Sequence, residues 1–203
     1  MKNNIIVFDF DKTLTYNDTL FDFYVHTCNK SFTLPIKLFY YLSLMILFKL
    51  KVISNDFLKI KGFNLFLKGL KESHIENKAK SFKSKIKFNN LYKTFNFNTN
   101  NEIIIVSASY DIYLKYIFPE NVRVFGSNFA SINGIAEKFT FNCYSANKNY
   151  ILNKYGISSI KTFYTDSYSD VSLAKISKQI IIVKNDNLSL CKDINEFNFY
   201  FRK

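Results

Sequence analysis

The stretch Ile5-Ile6-Val7-Phe8-Asp9-Phe10-Asp11-Lys12-Thr13-Leu14-Thr15 decides how the rest of the chain is read. Four apolar residues run directly into two carboxylates. A continuous apolar run bounded by a polar turn predicts a strand buried on both faces, as in a parallel sheet. Such a strand delivers Asp9 and Asp11 to its carboxyl end, where open α/β sheets bind ligands. Side chains alternate along a strand, so the two carboxylates are expected to start on the same side. Close together they repel, and one pKa is expected to rise. A divalent cation relieves that repulsion, and hard cations take oxygen ligands. A strand closing in a plain Asx turn would use the same residues without a cation.

Working outward, Asp18 and Thr19 are helix N-cap types, followed by Leu20, Phe21, Tyr24 and Val25 at helical spacing. Pro35 suits the first turn of a second helix. That helix contains Leu38 to Phe48, the most apolar stretch of the chain, between Lys37 and Lys49. It is too short to span a bilayer, which needs about 20 residues. Burial is the default reading, and an interfacial helix flanked by lysines is the sharper one. Helical patterns continue over Phe57–Leu70 and Ile75–Phe88, so residues 16–98 read as an all-helical insert. Asn96–Asn101 is a polar linker.

Beyond it, Ile103–Val106 is a second buried strand ending in Ser107-Ala108-Ser109. A helix is predicted over Asp111–Phe118, stopped by Pro119, and a strand over Val122–Ser127. Asn133-Gly134 marks a hairpin around 129–140. A helix over Ala146–Tyr155 is closed by Gly156. Thr162–Thr165 is a strand running into Asp166-Ser167-Tyr168-Ser169-Asp170, followed by a helix to about Ser177. Ile180–Val183 is the last core strand. Strands alternating with helices predict an α/β fold: a Rossmann-like core with a parallel sheet and helices on both faces.

The formal net charge is +12, with only two arginines, Arg123 and Arg202. A basic chain favours anionic partners. The lysines are spread along the whole sequence beside abundant Asn, Ile and Phe, as in an AT-rich coding sequence. The near absence of arginine argues against a nucleic-acid reader, which uses its bidentate fork. Cys28, Cys143 and Cys191 are odd in number and widely separated, which argues against a disulfide framework and makes a reducing compartment the simpler reading. No signal peptide is apparent before the first strand, so a cytoplasmic location is expected.

Three strand ends carry complementary groups: Asp9, Asp11 and Thr13; Ser107 and Ser109; Asp166 and Asp170 with Ser167 between. In a parallel sheet these ends share one edge. Several acids at one place need a cation, and Lys148, at the start of a helix, can reach the same edge. Acids, Mg²⁺, a hydroxyl and a lysine together make a site for a phosphoryl group.

The pattern resembles the haloacid dehalogenase-like hydrolases, in the phosphoserine-phosphatase-like branch with a helical cap after the first motif. Asp9-Phe10-Asp11-Lys12-Thr13 matches the Asp-x-Asp-x-Thr motif, Ser107 the second motif, Lys148 the third, and Asp166 with Asp170 the fourth. Lys12 stands where Gly is usual, and Thr165 stands where Gly often precedes the acidic pair. The resemblance implies a core of residues 1–15 and 99–203 and a substrate-selecting cap of residues 16–98.

It also implies roles. Asp9 would be the nucleophile forming an aspartyl-phosphate, and Asp11 the general acid and base. Mg²⁺ would be held by Asp9, the Asp11 carbonyl and Asp166. Ser107 and Lys148 would bind phosphate oxygens. Thr13, Ala108, Ser167 and Asp170 would support the site, and Asp18 could contact substrate. The substrate would be a phosphorylated small molecule or a phospholipid. The cap contains no arginine for a substrate carboxylate, which argues against phosphoserine; a lysine such as Lys59 is an imperfect substitute. The wording around Tyr164–Asp170 and the apolar helix look more like the phosphatidylglycerophosphate phosphatase-type members. That suggests peripheral contact with the inner face of a membrane through residues 36–50. Two alternatives use the same residues: a phosphotransferase, and a non-catalytic basic binding module.

Overall fold

The computed structural model describes residues 4–28 and 32–202. Among these, one sheet is built from β1 Ile5–Phe8, β2 Glu102–Tyr110, β3 Arg123–Ile132, β4 Ile135–Phe141, β5 Ile160–Thr165, β6 Ser177–Lys184 and β7 Asn187–Cys191. The spatial order is β4-β3-β2-β1-β5-β6-β7. The five middle strands are parallel, and each edge strand is antiparallel to its neighbour. The expected first strand is therefore the centre of the sheet. Its apolar run is explained by two-sided burial. Phe8, Ile103 and Ile105 join one core, while Val7, Ile104, Val106 and Phe163 join the other.

Helices α1 Leu20–Thr27, α2 Leu34–Lys49, α3 Asn55–Phe66 and α4 Glu72–Phe82 lie between β1 and β2 in the chain. An aromatic cluster holds them together. The Tyr24 ring stacks on Phe66 with centroids 5.0 Å apart. Gly62 on α3 makes this packing possible, because a Cβ there would lie 2.7 Å from the Tyr24 ring. The insert returns to the sheet through bridges from Phe88 to Thr15 and from Lys71 to Ile135. A short helix α5, Asn90–Thr94, follows. Phe95 and Phe97 then pack their rings against Phe8. The remaining helices are α6 Asp111–Leu114, α7 Ala146–Lys154, α8 Val171–Ala174 and α9 Ile194–Arg202. Leu152, Leu173 and Phe197 of the last three fill the second core.

Turn chemistry falls where the sequence puts it. Asn133 and Gly134 have φ of 50° and 73° at the β3–β4 hairpin, and Gly156, with φ 75°, closes α7. Several helices are shorter than expected. α3 stops at Phe66 instead of Leu70, because Lys68 N–H turns back to the Phe63 carbonyl and Gly69 takes φ 82°. α4 ends at Phe82 in a single 3₁₀ turn, and residues up to Phe88 are extended toward Thr15. α6 is one turn, continued to Ile117 only by turn-type bonds. The helix after Asp170 ends at Ala174. β7 and α9 were not anticipated: Leu188 and Leu190 of this edge strand are exposed, so no buried run marks it.

Burial of the whole 38–48 helix is corrected by the structure. Only Tyr41 and Leu44 of α2 are buried, whereas Phe39 is 78% and Ile46 59% exposed. A helix apolar all round can bury only the face it turns to α3, Phe21 and Tyr24.

Candidate active site

β1 ends at Phe8, so strand alternation alone does not set the direction of Asp11, although the Asp9 charge still bears on it. The Phe10 carbonyl accepts the N–H groups of Thr13 at 3.2 Å and Leu14 at 2.8 Å, which turns the chain. Lys12 sits in that turn with φ 60°. It adopts the left-handed conformation that Gly would take freely, at roughly 1 kcal/mol. Its N–H donates to Thr15 Oγ1 at 3.0 Å. The turn survives the replacement of Gly, and the two carboxylates meet different partners.

Asp9 is buried, and its N–H donates to the Tyr164 carbonyl at 2.9 Å, tying it to β5. Asp9 Oδ1 accepts from Lys148 Nζ at 2.6 Å, and Oδ2 accepts from Thr13 Oγ1 at 3.1 Å. Lys148, in the first turn of α7, also lies 2.7 Å from Asp170 Oδ1. Asp170 Oδ2 accepts from Thr165 Oγ1 at 2.8 Å. Thr165, the second departure from Gly, therefore fixes the acid that fixes the lysine. Burial works against the Lys148 charge, but Asp170 and Asp9 outweigh it and raise its pKa. Burial raises the Asp9 pKa against the pull of Lys148.

Asp11 Oδ1 accepts both the N–H and the hydroxyl of Thr19, each at 2.7 Å. Its Oδ2 accepts from Ser109 Oγ at 2.5 Å. With its own proton on Asp11, Thr19 Oγ1 receives the Tyr113 hydroxyl at 2.8 Å. The Asp11 carboxyl is pushed up to about 7, by burial first and Asp18 second; Asp9 contributes least. The expected rise is present, but its main cause is burial instead of repulsion within the pair.

The strand expected to end before Ser107 runs on to Tyr110, with its pairing to β3 irregular between Val106 and Tyr110; Ser107 is buried within that stretch, and its oxygen accepts the Ser109 N–H at 3.0 Å, leaving its own O–H free to donate. The Ala108 carbonyl accepts from Ser127 Oγ at 2.7 Å and from the buried Lys59 ammonium of α3. Burial lowers the Lys59 pKa to about 8, although Asp18 and Asp11 favour its charge. Asp18 is exposed and accepts the Leu20 N–H at 3.2 Å, a capping contact at the start of α1. Ser167 caps the following turn by accepting the Ser169 N–H at 3.2 Å. Asp166 is half-buried, and its carboxyl rises to about 7 through burial and then the charges of Asp9 and Asp170.

These groups converge from β1, β2, β5 and α7, in the chain order Asp9-x-Asp11, Ser107, Lys148, Asp166 and Asp170. A family model described as haloacid dehalogenase-like hydrolase matches residues 6–175. The chain belongs to the haloacid dehalogenase-like hydrolases.

Solved structures with the same fold include a substrate-bound phosphoserine phosphatase, with TM-score 0.60 and 18% identity over 98% of this chain and 99% of that one. A protein of unknown function from Bordetella pertussis Tohama I has TM-score 0.72 and 13% identity, covering 90% of each chain. A family hydrolase from Salmonella enterica serovar Typhi has TM-score 0.59 and 13% identity; the match covers 85% of this chain and 59% of the longer Salmonella protein. No curated protein sequence matches the chain.

The residues of this hydrolase fit a hard divalent cation. The Asp166 carboxylate accepts no hydrogen bond from any described residue, the Lys184 ammonium donating instead to the Asp166 backbone carbonyl at 2.9 Å, and the Asp11 carbonyl likewise has no described donor. Two carboxylates and a carbonyl are all-oxygen ligands of the kind Mg²⁺ takes, with water completing the shell. Among the described residues no group of three or more His, Cys, Asp and Glu side chains could hold a metal. The ion would depend on the carbonyl and water as well as the two acids.

Sequence reasoning missed Thr19 and the constructive part of Thr165. Thr19 reads as a helix cap, and nothing in a spacing of eight residues says that it bonds Asp11. His26 and His74 serve structure: their ring nitrogens bond Ser81 Oγ at 2.9 Å and the Thr27 carbonyl at 3.0 Å.

Proposed function

We propose that this hydrolase is a Mg²⁺-dependent phosphatase that cleaves a phosphate monoester through a phosphoryl group carried on Asp9. The observation that supports it most is the clamp on the Asp9 carboxylate, with Lys148 on one oxygen and Thr13 on the other. A buried carboxylate fixed this way has one attacking geometry and little freedom to lose on reaching the transition state. Lys148 also supplies positive charge where phosphate oxygens would gather, and Ser107 has a proton to donate. Asp11, bonded to Thr19 and Ser109, is placed to give a proton to the leaving oxygen and to take one from the attacking water. Asp9, the Asp11 carbonyl and Asp166 would hold Mg²⁺, which when bound neutralises the acids and the incoming phosphoryl charge.

Residues 16–98 act as the cap that selects the substrate, over a core of residues 1–15 and 99–203. The cap holds Lys59, buried and bonded to the Ala108 carbonyl, and the exposed Asp18 near the acids, and it contains no arginine. A substrate with a free carboxylate is therefore poorly served, and an apolar or lipid phosphate is preferred.

The test is phosphate release from a panel of phosphomonoesters and lipid phosphates. Activity should be lost with EDTA and restored by Mg²⁺. No Mg²⁺-dependent release from any member of a broad panel would overturn the proposal.

A further inference from the structure

Helix α2 is apolar on every side, a pattern that belongs to helices covered all round. Its inner face meets the cap: Tyr41 is parallel to Phe21 with ring centroids 6.1 Å apart, and it makes an edge contact with Phe66 at 5.4 Å. Its outer face carries Ile36, Phe39, Tyr40, Leu42, Ile46 and Leu50, all exposed. Ile36, Phe39, Tyr40, Ile46 and Leu50 follow helical spacing and form a stripe along the axis. Val52, just after the helix, and Phe57 and Ile60 of α3 are further exposed apolar side chains of the same insert. Contiguous apolar surface of this kind marks an interaction site on a water-soluble fold.

The charges say what covers it. Between Leu34 and Ser54 there are three lysines, Lys37, Lys49 and Lys51, and no acid. On the helical wheel Lys49 lies on a flank of the apolar stripe, and Lys37, half-buried in the first turn, lies toward Tyr41 and Leu44. On a flank a lysine can lay its stem along hydrocarbon and lift its ammonium to a headgroup. The helix is 16 residues long, and no described helix is long and apolar enough to cross a membrane. Because its inner face is packed on the cap, the helix can meet a bilayer only along its outer face, lying flat against the surface.

We propose that the outer face of α2 docks the protein onto an anionic bilayer surface, with Phe39 and Ile46 entering the acyl boundary and Lys49 and Lys51 meeting anionic headgroups. The inference stands apart from the reaction assigned to the site, since it concerns a surface and is read by binding alone.

Sedimentation of the full chain with vesicles tests it. The vesicles are phosphatidylcholine alone or phosphatidylcholine mixed with phosphatidylglycerol. The protein should partition onto the mixed vesicles and leave them as salt is raised. Phe39→Asp with Ile46→Asp should lower partitioning at least tenfold while the thermal transition stays in place, since both side chains are solvent-exposed. Lys49→Gln and Lys51→Gln should each lower it roughly fivefold. No binding to the mixed vesicles at low salt would overturn the proposal. So would equal binding by the Phe39→Asp/Ile46→Asp variant. A wild-type dimer that this variant splits, without vesicle binding, would assign the face to a second copy of the chain and overturn it equally.

Discussion

Asp9, Lys148 and Asp170 form a buried row in which one ammonium answers two carboxylates. Such a row depends on completeness, because removing one member leaves an unpaired buried charge costing about 3–5 kcal/mol. Lys59 shows the opposite situation. It is a buried lysine bonded to a carbonyl, with no carboxylate in direct contact, and its pKa falls to about 8 from an ordinary 10.5. Between those values the unfolded chain holds a proton that the folded chain has released, so stability rises with pH across that window. Lys59→Met should therefore be more stable than the parent at pH 7. The gain should be on the order of 2–3 kcal/mol, reduced somewhat by the lost bond to Ala108. It should shrink as pH climbs from about 8 toward 10.5. Urea unfolding of both proteins at several pH values measures this, and a gain that does not change with pH would contradict it.

At the scale of elements, the insert is organised by the contact of α3 with the Tyr24 ring. Gly62 leaves no room: an added Cβ would meet Tyr24 carbon and oxygen atoms 2.7 Å away, and the Tyr24 hydroxyl is itself held 3.1 Å from that of Tyr110. Gly62→Ala should lower stability by about 1–3 kcal/mol through overpacking, against the usual gain of Gly→Ala in a helix. A thermal transition at or above that of the parent would show that Tyr24 moves aside without cost. Elements differ in how clearly their sequence announces them. β1, β2 and β6 are legible because strands buried on both faces need unbroken apolar runs. β7 is an edge strand with Leu188 and Leu190 in solvent, and its sequence carries no such mark. α2 is legible as a helix, but apolarity alone does not say which side has a neighbour. In the site, the acids and Lys148 are legible from their order at strand ends. The bonds of Thr19 to Asp11 and of Thr165 to Asp170 are not, since the fold decides which hydroxyl meets which acid.

Across the whole molecule, a chain of formal charge +12 gathers Asp9, Asp11, Asp166 and Asp170 at the carboxyl ends of its central strands. The surrounding positive charge draws anions toward the protein, while the acids stand at the point where an anion would have to settle. A divalent cation would reconcile the two, and EDTA should abolish turnover without unfolding the sheet, since the acids that would hold the ion lie outside both hydrophobic cores of the described residues. On the docking proposal, the exposed face of α2 would take a second anionic partner. The central claim is that Asp9 carries the phosphoryl group between substrate and water. It is tested most directly by acid-quenching the enzyme during turnover of a phosphomonoester with Mg²⁺ and mapping its peptides by mass spectrometry. The account predicts the mass of one phosphoryl group on the peptide containing Asp9, and for Asp9→Asn no such mass and turnover lower by roughly three orders of magnitude or more. Sustained phosphate release by Asp9→Asn at the rate of the parent would contradict it.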